Sequence, residues 1–318
     1  MAHTHNHDHS HGHGVETRLG FVLFVTAGYM VVEIVGGILF NSLALLADAG
    51  HMLSDVMAQG LAYAALIIGR RSPTDRHTFG FKRTEILAAL WNGLALWAIV
   101  ALILYEAAHR AWNPGTVAGE GMLLVAGIGL LVNLLLAGLL FREREYNLNV
   151  KGVFLHVLSD ALGSVGAMVA AVIILLTGYY IADPIVSVFI GVLILYSSWG
   201  LIKESVHILM EGVPAGIAIA DVESAMLEQA GVCCIHDLHV WTIGSDRTAL
   251  SAHVVLSDPE RDSDMVLSNL NRVLQDTFHI DHTTIQIEST HDVVATRSGM
   301  ICRPGTACFF NNTGSAAK

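Results

Sequence analysis

Two stretches of this chain carry one pattern of ionisable residues, His51-Met-Leu-Ser-Asp55 and His156-Val-Leu-Ser-Asp160. A spacing of four on a helix puts imidazole and carboxylate on one face, one turn apart. Both stretches lie within long apolar runs, where ionisable groups are costly and mark ion pathways. Two such helices face to face would present two nitrogens and two oxygens, a tetrahedral set suited to zinc. The two carboxylates give the empty set a charge of about −2, which Zn2+ or two protons cancel equally well. Free imidazole titrates near pH 6.5, so protons and zinc compete for the same lone pairs. That each pair merely stabilises helix packing is the alternative, and it accounts for one pair better than for two matched ones.

Positioning these residues requires membrane helices. Of 318 residues, 53% are hydrophobic and 14% charged, against about 25% charged in soluble domains. The composition is that of a membrane protein with soluble mass attached. Six apolar segments, at 19–39, 43–69, 86–108, 120–141, 152–177 and 182–202, each approach the ~20 residues of a helical span. Arg70, Arg71, Arg76, Lys82 and Arg83 fall between the second and third, and Arg142, Arg144 and Lys151 between the fourth and fifth. The opposite links hold only Arg110, so the positive-inside rule places both termini in the cytosol. In that orientation Asp55 lies about 18 Å below the outer boundary and Asp160 about 12 Å above the inner one, at ~1.5 Å per residue. These depths add up to the ~30 Å hydrocarbon thickness, so the carboxylates share one level. The second and fifth spans run antiparallel, as matching elements of two inverted halves do. Asp48 precedes His51 by one turn and could guide an ion or hydrogen-bond to a ligand. Glu33 and Asn133 are candidate cavity-lining residues, and Gly36, Gly37, Gly163 and Gly166 permit close helix contact.

From Glu204 onward, 15 acidic residues face 6 Lys/Arg, and the whole chain carries a net −11. Phosphate backbones need a basic surface, so a nucleic-acid partner is excluded. Residues 221–231 read as a helix that Asp221 could cap, 235–244 and 248–256 as a hairpin about Gly244–Arg247, 263–279 as a helix and 283–289 as a strand. This α-β-β-α-β order suggests an open sandwich related to ferredoxin-like domains. The expected fold is an all-α six-helix transmembrane domain followed by an α+β ferredoxin-like cytosolic domain. The expected boundaries are a His-rich disordered tail over 1–18, the membrane domain over 19–203, the cytosolic metal-binding domain over 204–290 and a flexible tail over 291–318. The first tail alternates His3, His5, His7, His9, His11 and His13 with small or polar residues; it reads as a loose metal-capture segment. The first 18 residues are polar and the first apolar run is too long for an h-region, so no cleavable signal peptide is expected.

In the soluble lobe, His236 and His239 stand on the first strand, His253 on the second and Glu288 at the end of the third. Simple alternation puts His236 and His239 on opposite faces. Cys233, Cys234, Cys302 and Cys308 lie in the cytosolic part, where disulfides are rare. The C-x5-C spacing of Cys302 and Cys308 is loose for a zinc pair.

The chain resembles the cation diffusion facilitators, in particular their zinc-transporting branch, over about residues 15–290. The resemblance rests on Leu46-Ala-Asp48-Ala-Gly-His51 through Asp55, on Phe79-Gly-Phe-Lys-Arg83-Thr-Glu85 and on His156 through Asp160. It rests also on Asp183-Pro184, on His236-Asp-Leu-His239-Val-Trp241 and on Ser251-Ala-His253. It implies six spans, a ferredoxin-like cytosolic domain, a homodimer in the lipid bilayer, and efflux of divalent metal in exchange for protons. It places the transport site on His51, Asp55, His156 and Asp160; from their positions in the sequence, Asp48 and His239 are candidate pathway or supporting residues. A cytosolic metal site falls on His236, His253 and Glu288, with Gln286 where some members have a further ligand. A third family site is incomplete: Asp75 and His77 are present, but Phe81 stands where a second His would be. Zn2+ is the implied cargo and regulator, with Cd2+, Co2+ and Ni2+ as further cargoes. The expected protein is thus a transporter, not an enzyme, placed in a bacterial inner membrane. A transport-free zinc sensor would leave four ligands at midplane unexplained. An intramembrane metallohydrolase lacks both an H-E-x-x-H helix and an open metal position.

Overall fold

The computed structural model describes residues 10–113, 115–141, 148–244, 247–258, 260–288, 300–301 and 309–310. Six helices are long and apolar enough to cross a membrane: α1 (Ser10–Leu39), α2 (Leu43–Gly69), α3 (Thr84–Trp112), α4 (Gly119–Leu140), α5 (Leu148–Thr177) and α6 (Ala182–Leu209). Several run past the apolar segments that reveal them, since hydropathy marks the part that crosses lipid, not the helix ends. The largest difference is α1, which starts at Ser10 inside the segment expected to be unstructured. Extending an existing helix fixes one residue per hydrogen bond, whereas nucleation fixes three, so polar residues abutting a span readily continue it. His3, His5, His7 and His9 lie outside the described residues.

The chain divides into two compact units, residues 1–61 with 91–202, and residues 62–90 with 203–318. The ends of α2 and α3 and the loop joining them cluster with the lobe.

In the first unit, α4 buries Met122, Val125, Ala126, Gly129, Asn133, Leu136, Ala137 and Leu140, an i, i+3/i+4 stripe typical of a packed helix face. Leu45, Val100, Met122 and Ile190 belong to a core drawn from α2 through α6. Large apolar side chains such as Leu176 and Tyr196 point outward, which suits a lipid solvent. The start of α2 is tied down from another helix. The Asp183 carboxylate accepts from Ser42 Oγ at 2.7 Å, Leu43 N at 2.7 Å and Ala44 N at 3.1 Å. The two amides are first-turn N–H groups with no partner inside their own helix, and a carboxylate also suits the positive end of the helix dipole. Arg110 completes the clamp, donating to the Asn41 carbonyl at 2.7 Å and lying 3.7 Å from Asp183.

In the second unit, β1 (Val232–Gly244), β2 (Arg247–Leu256) and β3 (His282–Glu288) form a sheet in that order. β1 and β2 pair antiparallel; β2 and β3 pair parallel, with α8 (Ser263–Phe278) between them in the chain. α7 (Ile219–Leu227) and α8 bury Val222, Met226, Val266, Leu270 and Leu274 with Ile235, Leu250 and Val254 of the sheet. The element order is the expected α-β-β-α-β. Asp262 caps α8, accepting from Asp264 N and Met265 N. Asp221 is not the cap of α7: the helix starts two residues earlier, Ala218 is its N-cap without a side-chain bond, and Asp221 stands in the first turn. One apolar residue more at the start, Ile219, packs against the core and draws the helix back. Within the segment expected to be a featureless tail, β4 (Met300–Ile301) and β5 (Phe309–Phe310) pair antiparallel over two rungs. Paired apolar residues suffice for so short a ladder. Cys302 and Cys308 lie outside the described residues.

Candidate metal centres

α2 and α5 bring the two H-x-x-x-D faces together. The rings of His51 and His156 meet edge to face, centroids 5.8 Å apart. Donor atoms of His51, His156 and Asp160 all lie within 4.8 Å of one another. Asp55 Oδ2 joins them at 3.3 Å from His156 Nε2 and 3.7 Å from His51 Nε2, while Asp160 Oδ2 is 3.6 Å from His156 Nε2. Yet Asp55 Oδ2, both Asp160 carboxylate oxygens and His51 Nδ1 are buried with no hydrogen-bond partner among the described residues. Burying such groups unsatisfied costs free energy that a folded protein ordinarily avoids. A cation placed among these two nitrogens and two carboxylates answers that deficit, and the donor set fits zinc.

The second cluster lies on the sheet face turned away from α7 and α8. His236 pairs in register with His253, and His253 with Gln286, so the three share one face, and Glu288 follows two residues on. The two rings stack at 4.8 Å. One carboxylate takes both imidazoles: Glu288 Oε2 is 3.0 Å from His236 Nε2 and Oε1 is 2.6 Å from His253 Nδ1. Gln286 Nε2 donates to the same Oε1 at 3.0 Å. Burial pushes Glu288 upward, but the hydrogen bonds from His253 and His236 outweigh it and hold the carboxyl below its ordinary value. The buried Cys234 thiol is pushed up to about 12 by burial and by Cys233 and Glu288 beside it. In the metal-free lobe it stays a thiol at neutral pH.

Residues 19–210 match the cation efflux transmembrane domain and residues 214–290 the cytoplasmic domain of cation efflux proteins. The chain belongs to the cation efflux family. Among its relatives, the "Cadmium, cobalt and zinc/H(+)-K(+) antiporter" of Bacillus subtilis is 43% identical over 87% of this chain and 89% of its own length. The "Zinc transporter ZitB" of Escherichia coli is 46% identical over 85% of this chain and 87% of its own. The "Metal cation efflux system protein CzcD" of Cupriavidus metallidurans is 41% identical over 86% of each chain. As a member of this family the protein is a multi-pass membrane transporter of metal cations and not an enzyme, so the metallohydrolase and transport-free sensor readings are set aside.

The supporting residues of this cation efflux protein fall in instructive places. Asp48 is buried but outside the ligand group, and its carboxylate fills the space that a side chain at Gly163 would need. Glu33 is fully buried beside it. The Tyr29 hydroxyl lies 2.7 Å from Glu33 Oε1 and 3.1 Å from the Val125 carbonyl. Sequence reasoning passed over Tyr29, although its i, i+4 spacing to Glu33 was visible. His239 departs from simple alternation. A bulge between His236 and His239, with Asp237 at φ 49°, lets β1 advance three residues while β2 moves two. His239 therefore pairs with Ser251 on the same face as His236, one step along, outside the ligand group. In the loop after α2, the Phe81 ring packs against His77, centroids 4.7 Å apart.

Proposed function

We propose that this protein exports Zn2+ from the cytosol in exchange for protons, through one site formed by His51, Asp55, His156 and Asp160. The observation that carries the reading is the convergence of these four side chains, with Asp55 Oδ2 and both Asp160 oxygens buried and without a hydrogen-bond partner among the described residues. A site so built favours whichever cation supplies two positive charges. Zinc enters from the cytosolic side; outside, two protons replace it on the same lone pairs, and the neutralised site returns. Exchange holds the buried charge near zero on both legs, which matters where an uncompensated charge is most costly. Asp48 supports the pathway from a position one turn outward of His51. Cd2+, Co2+ and Ni2+ are further cargoes that such ligands accept, with selectivity set by geometry and ligand type.

The cytosolic trio His236, His253 and Glu288 is proposed as a regulatory Zn2+ site, and the protein as a homodimer whose lobes zinc draws together. With the lobe and both termini cytosolic, the proposed location is a bacterial inner membrane. Zinc uptake into everted vesicles tests the exchange. Imposing an acid-inside gradient is expected to drive uptake that collapses when the gradient is dissipated; uptake indifferent to the gradient sinks proton coupling.

A further inference from the structure

The outer face of the sheet carries sulfur as well as nitrogen and oxygen. One rung along from His236–His253, Cys234 pairs with Val255 and Val255 with Glu288. Alternation therefore sets Cys234 on the face that holds His236, His253 and Glu288, outside that ligand group. Neighbouring side chains on a regular strand point to opposite faces, but a bulge re-aims them here. Val232 pairs with Leu256 and Cys234 with Val255, so β1 advances two residues while β2 moves one. Cys233 is the extra residue, and its thiol lies beside that of Cys234. Both cysteines are free and buried, Cys234 completely.

We propose that Cys233 and Cys234 form a dithiol site for a thiophilic divalent cation such as Cd2+, separate from the His–Glu site beside it. Thiolate is the softest ligand a side chain offers, and soft cations gain most from it. On binding, each thiol gives up its proton to solvent as its sulfur joins the metal, so two protons leave for one cation. Two thiolates cancel the charge of a divalent ion, and the filled site is then buried without net charge, which is what an ion removed from water requires. Glu288 stands close enough to act on the Cys234 thiol, and its negative charge favours an arriving cation. Buried cysteines commonly serve as small apolar residues, but that role asks for neither a bulge nor a second thiol beside the first. The site rests on its own two sulfurs and does not depend on zinc at the neighbouring trio.

The test uses the full chain purified in detergent, with Cd2+ as the probe. Its cysteines are Cys233, Cys234, Cys302 and Cys308, so the membrane ligands cannot give a sulfur-to-cadmium charge-transfer band. Titration with Cd2+ should raise that ultraviolet band to a plateau at one ion per protomer. Cys233→Ala with Cys234→Ala should abolish the band, and Cys302→Ala with Cys308→Ala should leave it intact. The thermal transition of the lobe, followed on the same preparations, shows whether each variant is folded. If the first variant does not fold, cadmium NMR of the Cys302→Ala, Cys308→Ala chain decides: a resonance of sulfur-ligated cadmium supports the pair, and its absence overturns it. No band in the parent, a band lost in the comparator, or a band that survives in the Cys233→Ala, Cys234→Ala chain also overturns the proposal. A cadmium band in a lobe that binds no zinc would leave the dithiol site standing and sink the trio instead.

Discussion

The two histidine–carboxylate clusters draw on the same side-chain chemistry and differ in what the carboxylates touch. In the membrane, Asp160 is buried and neither of its oxygens has a hydrogen-bond partner, while the nearest imidazole nitrogen stands 3.6 Å away. In the lobe, both Glu288 oxygens are engaged by imidazoles at 2.6 and 3.0 Å, and one also accepts from Gln286. The first cluster leaves buried carboxylate oxygens unsatisfied, which costs free energy, so an incoming cation has no hydrogen bond at Asp160 to displace. The second is closed upon itself, and a metal there must displace hydrogen bonds the lobe already makes. Open and costly suits cargo that has to be taken and released in turn. Closed and satisfied suits a site whose occupancy follows metal concentration while the empty lobe stays folded.

The largest effect is expected from Asp160→Asn, which keeps the shape and removes the charge. Zinc flux in proteoliposomes should fall to that of protein-free vesicles, because the site then cannot balance Zn2+ against two protons. Zinc bound to the lobe, measured on the same preparation, should not change. If flux survives, the membrane cluster is not the transport site and the contrast fails. Next comes His51→Asp, which trades a nitrogen for an oxygen. The ratio of zinc to cadmium transport should shift toward cadmium by about tenfold, equivalent to ~1.4 kcal/mol. An unchanged ratio would mean that His51 does not contribute to selection.

The membrane site was legible because its determinants are local and periodic. The spacing of four fixes which residues share a helix face, and counting residues along α2 and α5 matches Asp55 to Asp160 in depth. The lobe's element order was legible from alternation for the same reason. What escaped is non-local or set by one backbone angle. Asp237 at φ 49° creates the bulge that turns His239 to the face of His236; Asp tolerates that region without announcing it. Nothing in the sequence says that Asp183, at the start of α6, caps α2 across 140 residues of chain. The partnership of Tyr29 with Glu33 and the Val125 carbonyl depends on how α1 packs against α4, beside a glycine that leaves room for the hydroxyl.

A smaller effect separates the clusters from the other side. His253→Ala removes one ring of the stacked pair and one of the two imidazoles on Glu288. Zinc bound by the lobe should drop by one ion per protomer in equilibrium dialysis. Flux at saturating zinc should stay within severalfold of the parent, since the membrane ligands are untouched. Abolished flux would instead make the lobe part of the transport path.

The finest test is pH, because the two demands on Glu288 separate along that axis. Its carboxyl is held below the ordinary value by His253 and His236, so the folded lobe favours the ionised form. The stabilisation is therefore present above the unfolded-state value of ~4.3 and is lost as pH falls through the lower folded value. Metal binding, by contrast, requires neutral imidazoles as well as the ionised carboxylate, so protons compete with it at three groups rather than one. Acidifying the metal-free protein should leave the thermal transition of the lobe unchanged while zinc affinity falls, and lower the transition only further into acid. Glu288→Gln should flatten that second limb by about 8 °C or less, the shift that ~1 kcal/mol or less produces in a domain of this size. If the transition instead falls while the pH is still well above the ordinary carboxyl range, the empty cluster is not closed upon Glu288, and the lobe site is as open as the one in the membrane.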